Sequence, residues 1–320
     1  MILLTGATGF VGGAVLNRLL QQPSLKVRTY GRREPVGLRL DSANNCFHVV
    51  GELGSAVNYT SALQSVDVVI HCAAQAHVMN SSASNCADIY NDINVDGTMN
   101  LARQAIVAGV SRFIFISSVK VNGESTTNTQ PFNQTSPPAP EDNYSRSKKV
   151  AEDGLRTLVA NSSMELVIIR PPMIYGPGVK GNFCSLLTVS QKNIPLPFGA
   201  INNKRSMVAL DNLVDLIITC IDHPNAAGQT FMVSDDQDIS TTRLLEMMAT
   251  VTGKHSRLLS IPVSWLRLIG KLMGKQAVIE RLCGNLQVDI NYTKETLGWR
   301  PPISVEEGIR RCFYKDNEGC

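Results

Sequence analysis

Three observations predict an α/β fold with a parallel sheet and helices on both faces. Short apolar runs at residues 2–4, 26–30, 47–50, 66–70, 112–116 and 165–169 alternate with helical patterns, the signature of βαβ units. Gly6, Gly9 and Gly12 mark the junction between the first run and the first helix. The composition, 43% hydrophobic and 18% charged with a formal net charge of +3 over 320 residues, excludes a disordered chain. It also leaves no polycationic footprint for nucleic acid, because lysine and arginine form no run longer than a pair.

The first strand, 2–4, leads into G-x-x-G-x-x-G and a helix over 12–21. In that context the first glycine permits a tight turn and the second lets backbone approach a pyrophosphate. The third lets helix pack closely on strand, with the helix N-terminus toward the phosphates. This predicts a Rossmann-type dinucleotide site. The second strand, 26–30, ends in Tyr30-Gly31-Arg32-Arg33, where the NAD-preferring pattern would carry an acid. Arg32 suits a ribose 2′-phosphate and an adenine face, so NADP is favoured, with NAD possible.

The strand at 113–116 ends in Ser117 and Ser118, at the sheet edge where ligands of parallel sheets bind. A polar segment between Asn122 and Asn143, containing Pro131, Pro137, Pro138 and Pro140, is a loop by composition. The helix over 145–159 follows, preceded by Tyr144, and Tyr144 and Lys148 form Y-x-x-x-K on one helical face. An ammonium at ~4 Å in an effective dielectric of 20 is worth about 4 kcal/mol, so Lys148 is expected to lower the Tyr144 phenol by up to roughly three pKa units. Such a phenol exchanges protons near neutrality.

The strand at 165–169 runs into Arg170-Pro171-Pro172 and makes the sheet at least six-stranded. Beyond Gly176 the pattern is irregular, becomes helical over 211–221, and ends in mixed helices and short strands. The expected division is a dinucleotide-binding domain, 1–175 with a return of 207–235, and a smaller mixed α/β substrate domain, 176–206 and 236–320. The stretch 258–273, with Trp265, Leu266, Leu268, Ile269, Leu272 and Met273 around Arg267 and Lys271, reads as a core or lid helix in preference to a membrane-surface helix. No uncharged apolar run reaches the ~18 to 20 residues that cross a bilayer. Structure begins at Ile2 without a basic leader, so a cytoplasmic chain is expected. The eight cysteines form no C-x-x-C, which points away from zinc and structural disulfides, and no metal is expected.

At this point the chain resembles the extended short-chain dehydrogenase/reductases, in the nucleotide-sugar epimerase, dehydratase and reductase branch. The likeness rests on Thr5-Gly6-Ala7-Thr8-Gly9-Phe10-Val11-Gly12, His71-Cys72-Ala73-Ala74, Asn94-Val95-Asp96-Gly97-Thr98, Ser117-Ser118, Tyr144-x-x-x-Lys148, the run from Arg170 to Gly178, and Leu297-Gly298-Trp299-x-Pro301. The resemblance implies that Ser118, Tyr144 and Lys148 are the catalytic trio, with Ser118 also contacting the reacting substrate oxygen. It implies that Gly6, Thr8, Gly9, Phe10, Gly12, Arg32, Ala73, Asn94 and Lys148 line the cofactor, and that Asn182 and Arg205 hold the diphosphate of a UDP-sugar. His71 is expected to be structural rather than catalytic, and His77 likewise. A homodimer through two helices packed into a four-helix bundle is also implied.

Two positions depart from the branch pattern. Val121-Asn122-Gly123 replaces V-Y-G, removing a substrate-side aromatic, and Val119-Lys120 replaces the Asp-Glu pair of sugar 4,6-dehydratases. Dehydration is therefore disfavoured. The expected activity is NAD(P)-dependent oxidoreduction at C4 of a UDP-linked, N-acetylated hexose, favoured as a 4-keto-sugar reductase near the UDP-N-acetylquinovosamine 4-reductase group. The alternative is a UDP-hexose or UDP-N-acetylhexosamine 4-epimerase with tightly bound NAD. From another class, a catalytically silent NAD(P)-binding regulator stays open.

Overall fold

The computed structural model describes residues 1–35, 46–75, 88–127, 130–192 and 194–313, with the Asn182 side chain also outside the description. Seven parallel strands form the main sheet in the order β3-β2-β1-β4-β5-β6-β9. They are β1 (Ile2–Thr5), β2 (Val27–Gly31), β3 (Cys46–Val50), β4 (Val68–His71), β5 (Arg112–Ile116), β6 (Glu165–Arg170) and β9 (Thr230–Met232). The seventh strand exceeds the minimum of six expected, and its three residues are too few to display a period.

β1, β4 and β5 are buried along their whole length, because helices cover both faces. Alternate residues serve opposite layers: Ile2, Leu4, Ile114 and Ile116 meet one core, while Leu3, Phe113 and Phe115 meet the other. The first core is closed by Val15, Leu16 and Leu19 of α1 (Phe10–Leu20) and by Leu213 and Ile217 of α6 (Leu210–Thr219). The second is closed by α3 (Thr98–Val107) and α4 (Asn143–Val159), with Leu101, Ala105, Ala151 and Leu155. Helix α2 (Thr60–Leu63) is a single turn, and a π-helical stretch, Asn91–Gly97, runs straight into α3.

A third core, around Tyr175, Phe183, Met207, Met248 and Ile309, lies under a small parallel pair. The pair consists of β7 (Met173–Tyr175) and β8 (Met207–Ala209). Helices α5 (Asn182–Gln191), α7 (Thr241–Val251), α8 (Val263–Leu272), α9 (Gln276–Cys283), α10 (Asn291–Leu297) and α11 (Val305–Phe313) complete the chain. Buried Asp235 joins these parts: it accepts from Tyr175 Oη at 2.7 Å, Ala209 N–H at 2.8 Å and Asn212 Nδ2 at 2.7 Å. Burial pushes the Asp235 carboxyl upward, opposed by these three donors.

At the point where strand order reverses about β1, His71 closes the sheet. Its Nδ1 lies 2.7 Å from Thr5 Oγ1 and its Nε2 lies 3.0 Å from Thr98 Oγ1, linking β4 to β1 and α3. Burial, with the nearby Lys148 cation, pushes the His71 imidazole down to about 3, so the folded ring is neutral. That assigns His71 the structural role expected.

The unfolded imidazole binds a proton below its ordinary pKa near 6.5 and the folded one does not. The stability His71 contributes is therefore present above that value and is lost as pH falls toward 3. Urea unfolding at a series of pH values should show wild type losing stability below pH ~6.5 at up to about 1.4 kcal/mol per pH unit more steeply than His71→Gln.

Candidate active site

The glycine turn is built for close approach. Gly6 has φ +74°, and a Cβ there would sit 2.7 Å from Ala73 N, two residues beyond the end of β4. A Cβ on Gly12 would come within 2.2 Å of the Gly6 carbonyl oxygen, so only glycine lets α1 start this near the sheet. Gly9 caps α1 without a side-chain bond, and the first turn carries no acid. The exposed N–H groups and helix dipole there suit a pyrophosphate, so the turn fits a dinucleotide. Thr8 is exposed beside the turn and Phe10 is half-buried against the cores.

Across the turn, Ala73 N–H donates to Thr5 Oγ1 at 3.2 Å. Asn94 is buried and fully engaged: its Oδ1 accepts from Gln75 N–H, and its Nδ2 donates to Gln75 O and to Ser147 Oγ. Asn94 thus clamps the loop after β4 to α4, with both amide hydrogens already used. Arg32 and Arg33 are exposed just beyond β2. His77 lies outside the described residues, as do 128–129 of the polar segment.

Helix α4 presents Tyr144, Lys148 and Glu152 at successive four-residue steps on one face. Its start is fixed by a capping box in which Asp142 accepts from Ser145 N–H at 2.7 Å and Ser145 Oγ bonds back. Lys148 is buried and donates from Nζ to Ile116 O at 2.8 Å, with the ammonium 4.4 Å from the Phe115 ring centre. Burial pushes it down to about 8, against the pull of Cys72 and Glu152. The ammonium is 6.0 Å from the Tyr144 ring centre, and Tyr90 meets that ring edge-on at 6.3 Å.

The expectation that Lys148 acidifies Tyr144 is corrected here. Burial pushes the phenol up to about 12, and Asp142 and Tyr90 add to the rise. Spacing alone counted the cation and missed the desolvation, so the free protein carries Tyr144 protonated at neutral pH.

Ser118 is half-buried on extended backbone at φ −158°, and its Oγ accepts from Lys120 N–H at 3.2 Å. Lys120 Nζ bonds Glu124 at 2.7 Å and Asp142 at 2.8 Å, tying the segment after β5 to the start of α4. Despite burial, these bonds hold Lys120 above its ordinary value, and Lys120 and Ser145 hold Asp142 down at about 2. So the position expected to lack a dehydratase carboxylate instead carries a fixed cation. Asn122, the second departure, is turned inward: its Oδ1 accepts from Arg170 at 3.2 Å and its Nδ2 donates to Ser136 O.

Beneath these residues lies a buried network that sequence reasoning missed. Glu152 accepts from Ser117 Oγ and from Arg170 Nε at 2.9 Å, and Arg170 Nη2 completes a bidentate pair. Glu152 sits four residues after Lys148, the one signal that could have drawn attention to it.

Farther along the chain, Arg205 is tied by Nη1 to Arg281 O at 2.9 Å and to Gly284 O at 3.1 Å. Burial and the neighbouring Arg281 guanidinium push Arg205 down, and Arg281 reaches Glu124 at 3.7 Å. Arg281, which the sequence did not single out, thus has its own charge paired with Glu124 and repels that of Arg205. Asn182 is the first residue of α5, and its side chain lies outside the description.

Residues 2–234 match the family model described as NAD dependent epimerase/dehydratase family. The chain belongs to that family. A Vibrio cholerae protein described as UDP-glucose 4-epimerase is 47% identical over 97% of this chain and 93% of its own. A mouse dTDP-D-glucose 4,6-dehydratase is 25% identical, covering 99% and 89%. Among solved structures, UDP-glucuronic acid 4-epimerase from Bacillus cereus in complex with NAD has a TM-score of 0.76 at 20% identity, covering 97% and 96%. Membership of that family makes the protein an enzyme of the NAD-dependent epimerase/dehydratase type. The narrower likeness to a quinovosamine reductase group and the NADP preference are not carried by these relatives.

Glu152→Ala would leave the Arg170 guanidinium buried and unpaired. Urea unfolding should show a loss of about 3–5 kcal/mol, with Glu152→Gln losing less.

Proposed function

We propose that the protein is a UDP-hexose 4-epimerase using NAD, with Ser118, Tyr144 and Lys148 as its catalytic residues. The observation that carries this reading is the buried Lys148 beneath Tyr144 at the carboxyl end of β5, in a chain 47% identical to a protein described as UDP-glucose 4-epimerase. NAD, when bound, would accept the hydride from C4 and return it. Tyr144, as phenolate, takes the O4 proton and later returns it. Lys148 stabilises that phenolate and reaches the cofactor ribose, while Ser118 donates a hydrogen bond to O4, its oxygen being already satisfied by Lys120 N–H. Arg205, Arg281 and Asn182 hold the diphosphate, leaving the sugar free to turn over between hydride removal and return.

The division into a dinucleotide-binding part, 1–175 with 207–235, and a substrate part is proposed with it. So is a dimer through α3 and α4, on which Val107 and Val150 are exposed. A second reading, the 4-keto-sugar reductase with NADPH, is favoured by two observations. Tyr144 is a protonated donor in the free protein, and Arg32 is exposed where a 2′-phosphate would lie. Dehydration has no carboxylate at Val119 or Lys120 to serve it.

Purified protein should interconvert UDP-glucose and UDP-galactose, and the N-acetylated pair, with no net change in nicotinamide absorbance. Consumption of NADPH with a UDP-4-keto-6-deoxy sugar and no interconversion would replace epimerase by reductase, and inactivity on both would leave the silent regulator. Tyr144→Phe should lower kcat by roughly 10²–10⁴-fold while cofactor binding is retained. Arg32→Ala should leave NAD binding unchanged and weaken only NADP.

A further inference from the structure

Helix α8 has an apolar stripe that the rest of the described chain does not cover. Trp265, Leu268, Ile269, Leu272 and Met273 recur at helical spacing and are exposed, Trp265 by 63% and Leu272 by 79%. Of the core-or-lid reading of 258–273, the core part is corrected for this face: only Leu266 and Gly270 of α8 are buried, Gly270 against Ile279 of α9. Beside the stripe lies an apolar groove of about 570 Å³, lined by Phe198, Leu259, Ile261, Trp265, Ile269 and Met273 among others. Among the described residues no helix is long and apolar enough to cross a membrane.

The charges around this face are one-sided. Between 254 and 280 the chain carries Lys254, Arg257, Arg267, Lys271 and Lys275 against a single carboxylate, Glu280. Glu280 is paired with Arg267 at 3.3 Å, and Lys254 Nζ donates to Gln191 O. Three of these cations, Arg267, Lys271 and Lys275, lie on α8 or directly after it in a chain whose net charge is only +3.

We propose that the α8 face docks on the surface of an anionic lipid bilayer, with α8 lying in the interface plane. Trp265, Leu268, Leu272 and Met273 would enter the headgroup boundary, and Lys271 and Lys275 would meet the lipid phosphates. A second copy of the chain fits less well, because a two-fold contact would press the same cations against themselves. A single helix with a basic flank and an exposed tryptophan matches the interfacial pattern instead. Helix α9, packed on α8, carries Arg281, so docking would steady the hairpin that ends beside Arg205.

Flotation with vesicles of phosphatidylglycerol and phosphatidylcholine at low salt tests this, alongside vesicles of phosphatidylcholine alone. The full-length protein should float with the anionic vesicles and shift its tryptophan emission to the blue. Trp265 reports this contact, since Trp299 is buried and donates to Asp215. Leu268→Ser/Leu272→Ser should abolish flotation, and Lys271→Glu/Lys275→Glu should weaken it at least about tenfold. All four side chains are exposed, and catalysis without vesicles should be unchanged. Absence of flotation, equal binding to both vesicle types, or a vesicle-independent dimer that Leu268→Ser/Leu272→Ser dissociates would each overturn the proposal.

Discussion

Burying an ammonium at the carboxyl end of a parallel sheet imposes conditions on everything near it. Lys148 must exchange its water shell for Ile116 O, the Phe115 ring face and the field of Glu152. Glu152 in turn is tolerable only because Arg170 and Ser117 satisfy it, and Arg170 reaches on to Asn122 and the loop at Ser136. So α4, β5, β6 and the polar loop are held in one arrangement by a single chain of charge-assisted bonds. Tyr144 stands one helical turn before Lys148 on the same face of α4, its ring centre 6.0 Å from the ammonium.

Around this anchor the remaining polar residues divide by depth. His71 and Asn94 look like candidate ligands on their chemistry, yet both are spent on locking backbone: one joins β1, β4 and α3, the other joins the loop after β4 to α4. Lys120 works similarly at the surface end, bracing the start of α4 through Asp142. Among the described residues of the site, the Ser118 proton, the Tyr144 hydroxyl and the glycine-turn amides keep capacity toward a bound molecule.

Much of the sheet was legible in the chain because strands covered on both faces are continuous apolar runs, as at 112–116. The three-residue strands β7, β8 and β9 were not, since their pairing is dictated by partners far along the chain rather than by any local period. In the site, the glycine turn, Ser118 and the Tyr144–Lys148 pair were readable because each is a local motif. The Glu152–Arg170–Asn122 network was not, because its members are separated by 18 and 48 residues and meet only in the fold. The Tyr144 phenol was misjudged for the same reason: spacing reveals a neighbouring cation, whereas desolvation belongs to the assembled surroundings. For α8, spacing revealed an apolar side and gave no indication of what covers it.

The last strand of the sheet has a consequence for how the protein is made. β6 finds its outer neighbour in β9, some sixty residues later, and only after the segment containing β7, α5, β8 and α6 has been synthesised. Until then a nascent chain displays an unpaired, apolar strand edge, the kind of surface on which chains recruit one another. Truncation before Thr230 would preserve that hazard permanently, so the first six strands are not expected to be obtainable by stopping translation after β6.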